Sequence, residues 1–380
     1  METDMQDTLK LMVVAPGSIY STFDTYNYYL DGLGQQDDIS DLWGFAFHNV
    51  IEYHKLGREG MYNTYGIMYG DETHDIVRAA RELIVEIVLR KPDALLFIDG
   101  SKFPPVLLEE IHKLRREIIR NFVVACYATE APYINDIIDK YAVFYDVLFV
   151  NDKKDAERRN PNNDRFIFYL PHSYSETVHY AGDVDDKYNK DVFFCGTVFP
   201  ERAKILSDVD WTDIDALLCG TWALTDDSEY NKIKEFGVVS DSGLPNYEVA
   251  QYYRGSKIAI NMNRTFGWTP KLDLQHIEAD LAYSVGPRVI EAVACGAFVL
   301  SEPRPEITDI FGESIPTFTT GKELENLIRY YLTHEDERIA KAKQAYDIVQ
   351  GMTYNNRSKF VADMLLEAIK TRRLTEVTNG

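Results

Sequence analysis

The sequence predicts an α/β protein made of two doubly wound, parallel-sheet domains. Three observations carry this. Short apolar runs alternate with amphipathic segments of helical period along nearly the whole chain. The alternation lapses once, in polar sequence between residues 160 and 190, and then restarts. The length, 380 residues, exceeds what one ordinary core organises and suits two.

The elements follow in order. "LKLMVVAPG" reads as a buried parallel-type strand ending at Gly17. The next segment, "SIYSTFDTYNYYLDGLG", reads as a helix capped by Ser21, Thr22 or Asp24 and closing near Gly34. Residues 75 to 91 have helical periodicity, "PDALLFIDG" is a strand, "PPVLLEEIHKLRRE" a helix, and "NFVVACYATE" and "YDVLFVND" two more strands, the second followed by the helical "KKDAERR". Two polar stretches, residues 160–165 and 181–190, flank "FIFYLPHSYSETVHY" and mark the crossover between domains. Then come "DVFFCGT" (strand), "PERAKILSDV" (helix), "DIDALLCG" (strand), "NYEVAQYYRGS" (helix) and "KIAINMN" (strand), ending in a long loop. In "SVGPRVIEAVACGAFVL", Pro287 suits the first helical position and Gly296 the left-handed turn that leads into a short buried strand. One or two helices and a last one complete the chain. The expected division is 1–175, 176–355, and 356–380 as a terminal helix packing back on the first domain. There is no repeat of solenoid type.

Net charge is −21, which argues against a broad nucleic-acid face, because phosphate neutralisation supplies most non-specific affinity; a local basic patch stays compatible. Cys126, Cys195, Cys219 and Cys295 all sit in apolar runs without a C-x-x-C pair, and read as small buried hydrophobes of a reducing compartment rather than disulfides or zinc ligands. The start, "METDMQDTLK", lacks a signal-peptide pattern, and no apolar run approaches the roughly 18 residues of a membrane span, so the expected location is the cytoplasm.

Chemistry is expected at the loops after the strands, the ligand edge of a doubly wound sheet. In the second domain Gly196 and Thr197 follow a strand, where a glycine lets backbone approach a ligand, and Arg202 lies in the first turn of the next helix. Arg264 ends another strand, with Phe266 and Trp268 in its loop. Ser284, Val285, Gly286 and Arg288 form a loop and helix start with backbone donors and a fixed positive charge, suited to phosphate. Glu291, in the first turns of that helix, suits the paired hydroxyls of a ribose, although the helix dipole alone favours an acid early in a helix. Together these pieces read as a diphosphate-plus-ribose site. In the first domain Glu130 sits at the ligand edge with Pro132 and Tyr133, as general base on an acceptor hydroxyl, as a group orienting the donor sugar, or as a capping acid. His172 lies at the crossover, as a phosphate or sugar contact or a packed linker residue. His48, among aromatics, and Thr22 and Asp24, after the first strand, are acceptor-side candidates that core packing and helix capping also explain. "DVDD" (183–186) and "TDD" (225–227) superficially match a metal-binding Asp-x-Asp but read as solvated charge runs, so no metal and no cofactor is expected.

"GPRVIEAVACGAFVLSE" resembles the signature of GT-B glycosyltransferases of the CgeB-like spore-maturation type, related to the retaining family-4 enzymes. The resemblance extends to "VFFCGTVFPERAKIL", "LPNYEVAQYYRGSKIAINMNR" and the tail from "LIRYYLTHEDER". In the first half, "YATEAPY", "DVLFVND" and "YLPHSYSETVH" are similar to bacteriophage-encoded glycosyltransferases. It implies two Rossmann-like domains facing across a cleft, closing about the crossover, with a UDP-sugar or other nucleotide sugar as co-substrate. It implies a hydroxyl acceptor on a glycan, a protein or a hydroxymethylated base of phage DNA, and for a phage protein the host cytoplasm. By position, Glu291 holds the ribose, Arg288, Arg202 and Arg264 face the diphosphate, and Gly196 and Thr197 line its floor; transfer is metal-independent and retaining. One departure is Tyr283, where related retaining enzymes often carry the first glutamate of a Glu-x7-Glu pair. Tyr283 keeps open a non-catalytic nucleotide- or sugar-binding protein on this scaffold, and a sugar-nucleotide epimerase is a further alternative. A dehydrogenase fits poorly, because no G-x-G-x-x-G follows the first strand.

Overall fold

Two parallel sheets organise the chain, each in its own unit. The computed structural model describes residues 8–18, 22–65, 70–119, 122–222, 227–264, 266–267, 275–276 and 282–379. The first unit runs to Leu170 and takes up the chain again from Tyr354; the second is Pro171–Thr353.

The first unit contains β1 (Leu9–Ala15), α1 (Thr22–Leu33), β2 (Ile39–Ala46), α2 (Phe47–Tyr65), α3 (Glu72–Arg90), β3 (Ala94–Ile98), α4 (Pro105–Glu117), β4 (Val123–Ala128), α5 (Asn135–Tyr141), β5 (Val147–Val150), α6 (Lys153–Arg159) and β6 (Ile167–Tyr169). Its sheet has the order β2-β1-β3-β4-β5-β6, with every pair parallel. The central strands are apolar on both faces and buried, apart from the exposed Lys10 near the start of β1, as sequences covered by helices on both sides must be. Local chemistry sets the helix ends. Asp71 and His74 make a reciprocal capping box on α3, and the Asp152 carboxylate caps α6 by accepting the Asp155 N–H at 3.0 Å.

The second unit contains β7 (Lys190–Cys195), α7 (Pro200–Ser207), β8 (Ala216–Cys219), α8 (Asp227–Lys234), β9 (Val239–Ser240), α9 (Asn246–Gly255), β10 (Ser256–Asn261), a small antiparallel ribbon of β11 (Phe266–Gly267) and β12 (Gln275–His276), α10 (Pro287–Ala294), β13 (Val299–Ser301), α11 (Pro305–Phe311), α12 (Gly321–Thr333) and α13 (Glu335–Val349). The main sheet has the order β13-β10-β7-β8-β9, all parallel. Helices α7, α10 and α11 each open on a proline at N1, where a missing N–H costs nothing. The chain builds outward from β7 through β9, then returns to place β10 on the other side of β7. The β7/β10 boundary is therefore the topological switch point of this sheet.

The last helix, α14 (Tyr354–Asn379), belongs to the first unit and packs on α1. Tyr354 meets the rings of Tyr28 and Tyr29, each at 5.1 Å between centroids, and Lys359 pairs with Asp38 at 2.7 Å.

The structure adds elements the sequence reading lacks. β2 is an edge strand of half-exposed residues that includes Gly44 and Asp41, so it presents no apolar run. β6 lies inside the stretch assigned to the crossover, yet its backbone pairs with β5. The short α5, α8, β9 and α11 are likewise absent from that reading, each having too few residues to establish a period. Among the described residues, no helix is long and apolar enough to cross a membrane, and no cluster of His, Cys, Asp and Glu has metal-binding geometry. Ser21, Asp226 and Trp268 lie outside the described residues.

Candidate functional site

At the switch point of the second unit a single side chain joins the two strand ends. α10 buries Val289, Ile290, Ala292, Val293 and Ala294, which fixes its rotation and directs Arg288 toward the sheet. Arg288 Nε donates to Cys195 O at the end of β7 (2.9 Å), and Nη1 donates to Asn261 Oδ1 (3.2 Å) and Met262 O (3.3 Å) at the end of β10. Its guanidinium also lies 5.4 Å from the Phe194 ring centroid. Past the β7–β10 ladder the connections part and strand-end carbonyls lack a neighbouring strand, and a planar five-donor fork satisfies them. The Cys195 thiol, in register with Cys219 on β8, is lowered to about 7 by a hydrogen bond from the Cys219 thiol and, secondarily, by the Arg288 charge.

Two glycines make room for this tie. A Cβ on Gly196 would lie 2.4 Å from Arg288 Nη2, so the small residue there accommodates the arginine, where the sequence had suggested close approach to a ligand. Gly220, at φ +140°, carries the next strand exit so close that a Cβ would lie 2.0 Å from Gly196 O.

A second layer of bonds surrounds the first. Arg202 is 5% exposed; its Nε donates to Asn263 O (3.1 Å) and Nη1 to Thr197 O (2.6 Å). Expected to reach an anionic group, it braces with its fork the loops that Thr197 and Asn263 begin. Arg304, equally buried, donates to Ala282 O (2.8 Å) and Arg264 O (3.1 Å). Arg264 is half-buried with its guanidinium 5.6 Å from the Phe199 ring, which Arg202 also meets at 5.2 Å. The loop before α10 is partly committed as well. Val285 N–H donates to the buried Glu306 carboxylate at 2.8 Å, so this expected phosphate donor already has an anion. Ser284 and Gly286 flank it, half-buried. Tyr283 donates its hydroxyl to Asp309. Burial pushes the Glu302 carboxyl up, while the Asn263 N–H it accepts at 2.6 Å opposes the shift.

Glu291 lies one turn into α10, its side chain 15% exposed. His179 Nε2 is 4.0 Å from Glu291 Oε1, and His179 itself is fully buried. His172 is in the same unit; burial lowers it to about 4, so it is a neutral contact at neutral pH.

The first unit has its own strand-end cluster. Asp99, directly after β3, is 2% exposed and adopts a left-handed backbone (φ 53°, ψ 60°). Its Oδ1 accepts from Ser101 Oγ at 2.8 Å; its buried Oδ2 accepts no hydrogen bond, and Lys102 Nζ stands 4.0 Å away. Burial, and then the charge of Glu130, push the Asp99 carboxyl from 3.8 up to about 6, against the pull of Lys102 and Ser101. Asp99, Ser101, Glu130, Cys126 and Tyr145 line a cavity of about 10 Å³, room for one water or one hydroxyl. The Glu130 loop is pinned by Asn151, whose amide bonds both backbone groups of Ala131 at 2.9 and 3.1 Å. His48 is half-buried and hydrogen-bonded through Nδ1 to Pro16 O, its pKa lowered chiefly by burial. Thr22 is buried at the start of α1, and Asp24 is exposed in its first turn, where an acid favours the helix dipole.

Residues 202–363 match the protein family described as Glycosyl transferase-like. The matched segment spans α7 into α14 and includes Arg202, Arg264, Arg288 and Glu291. No curated protein matches the chain. Among solved structures, a sucrose-phosphate synthase from Thermosynechococcus elongatus superposes with a TM-score of 0.60 at 11% identity, covering 97% of this chain and 100% of its own. HepE from Anabaena, in complex with UDP-glucose, gives 0.59 at 12%, covering 94% and 99%. A putative UDP-N-acetylglucosamine 2-epimerase from Listeria monocytogenes gives 0.58 at 12%, covering 97% and 98%. The fold is thus the α/β arrangement of GT-B proteins.

Sequence reasoning missed Asn261, His179, Arg304, Glu306 and Asp99. Only Asp99 carried a signal, an Asp-Gly immediately after an apolar strand.

Two outcomes test this geometry. Gly220→Ala places a methyl against backbone that cannot move aside; it should lower unfolding stability by about 3 kcal/mol or more in urea titration. Asp99→Asn should stabilise. Because folding raises this carboxyl's pKa, the ionised form is disfavoured in the native state. The penalty is absent below the unfolded value near 3.8, grows as pH rises, and is complete above about 6. Urea titrations should show a gain of order 1–3 kcal/mol at pH 7.5 that disappears near pH 4; an equal gain at both pH values would contradict the assignment.

Proposed function

We propose that this protein is a glycosyltransferase that moves a sugar from a nucleotide-sugar donor, with a UDP-sugar foremost, to a hydroxyl acceptor. The second unit is the donor side. The observation that carries the reading is the position of Glu291: a half-buried carboxylate on the helix whose first turn sends Arg288 into the switch point, within the glycosyl transferase-like segment. Ligands of open α/β sheets bind at that point. Glu291 takes the ribose hydroxyls. Arg264 and the start of α10 meet the diphosphate, while Arg288 and Arg202 hold the loops rigid beneath it. Fixed positive charge stabilises the diphosphate as the glycosidic bond breaks, and no metal is called on.

The first unit is the acceptor side. A carboxyl with a pKa near 6 beside a second carboxylate suits a group that accepts a hydrogen bond from the attacking hydroxyl and takes its proton. Glu130 and Asp99 fill these roles as a pair. The acceptor is a glycan, a protein or a hydroxymethylated DNA base; the net charge of −21 weighs against an extended DNA contact. The epimerase among the similar structures supports one rival, a sugar-nucleotide epimerase. Incubation with donor alone separates the two by product.

Calorimetric titration with nucleoside diphosphates tests the donor side. Wild-type protein should bind at least one, and Glu291→Ala should weaken that binding about tenfold or more. No binding to any nucleoside diphosphate or nucleotide sugar would end the reading. Asp99→Asn should leave donor affinity intact and lower turnover about 10²-fold or more at saturating donor.

A further inference from the structure

His179 is the most buried histidine near the donor-side carboxylate, and its surroundings dictate where its proton sits. The chain from Tyr174 to Tyr180 is held on several sides. Tyr174 N–H donates to Met352 O at 3.1 Å. Ser175 O accepts from Val178 N–H (3.1 Å) and His179 N–H (2.7 Å), closing a tight turn. Arg254 Nη1 donates to Val178 O (3.1 Å) and Tyr180 O (3.2 Å), with its guanidinium 4.3 Å from the Tyr180 ring. Inside this turn Ser175 N–H donates to His179 Nδ1 at 3.2 Å. A backbone N–H is always a donor, so Nδ1 must present its lone pair. The ring proton is thereby assigned to Nε2. Nε2 is the atom that stands 4.0 Å from Glu291 Oε1, and the imidazole is 0% exposed.

We propose that His179 is a positioning residue for Glu291: its Nε2–H, fixed in direction by the Ser175 turn and 4.0 Å from Oε1, attracts the carboxylate electrostatically and so holds it toward the ribose hydroxyls. This deepens, and rests on, the assignment of Glu291 to the ribose. The physical gain is pre-organisation. A glutamate has three rotatable bonds, and ordering it on ligand binding costs free energy that a fixed neighbouring donor removes beforehand. The turn supplies rigidity because its three backbone and side-chain bonds lie within five residues. The effect is specific to hydroxyl recognition, since His179 contributes nothing of this kind to a phosphate.

The test compares full-length protein binding the tightest of UDP, ADP, GDP and CDP with its binding of the 2′,3′-dideoxy counterpart. Wild type should prefer the ribonucleotide about tenfold or more. Glu291→Ala should reduce the preference to within about twofold, and His179→Phe should do nearly the same while dideoxynucleotide affinity stays unchanged. His179→Gln, whose amide can donate, should restore part of the preference. A merely structural role for His179 would weaken both nucleotides alike. If Glu291→Ala loses the preference and His179→Phe keeps it, the positioning role is overturned and the ribose assignment stands. If Glu291→Ala keeps it, both fall. Long-range ¹H–¹⁵N spectra of the wild type provide a check that needs no variant: the proton should be on Nε2, and a proton on Nδ1 would overturn the proposal.

Discussion

The second unit depends on one arginine. β7 and β10 are paired neighbours, and the sheet opens only past their ladder, where the chain leaves them for opposite halves. Opening leaves strand-end carbonyls facing a gap, and a gap lined by unsatisfied acceptors is unstable unless water, ligand or side chain fills it. Arg288 fills it from α10, bonding Cys195 on one strand and Asn261 and Met262 on the other. The rest follows as consequence. Residue 196 must lack a side chain because the guanidinium occupies its space, and residue 220 must lack one because Gly196 lies against it. The apolar face of α10 is what aims the arginine, so core packing and site geometry are one constraint.

The first unit handles its strand-end edge differently. No arginine neutralises Asp99; a serine, a lysine 4.0 Å away and a nearby glutamate surround it. A buried carboxyl in that company, on a left-handed backbone, lowers stability rather than raising it. Such local disadvantage is characteristic of groups kept for chemistry. The contrast between the units is one of charge: fixed cations braced by carbonyls in one, a buried carboxyl beside a second carboxylate in the other.

Much of the fold was legible because its signals are local. Buried strands such as β1, β3, β4 and β10 announce themselves as apolar runs, and Pro287 and Gly296 bracket α10 by turn chemistry. β2 and β6 were not, since an edge strand has one neighbour and little burial, and its sequence resembles loop. The arginines, Glu130 and Glu291 stood out as charged residues at strand exits or helix starts. Their tasks did not. Arg202 was legible as a cation at a helix start, but not as one 5% exposed and bonded to two loop carbonyls.

By itself, then, the sequence determined the doubly wound class, the order of most elements and which loops carry ionisable residues, because periodicity and turn preferences act over a few residues. Only the tertiary structure decided which of those residues brace the strand-end loops and which do not. The partners that decide it lie far along the chain: Arg288 answers to Cys195, 93 positions away, and Asp99 accommodates the charge of Glu130 on the loop beyond the neighbouring strand. His179 and Glu291 likewise meet only through the fold, across sequence that no local pattern links.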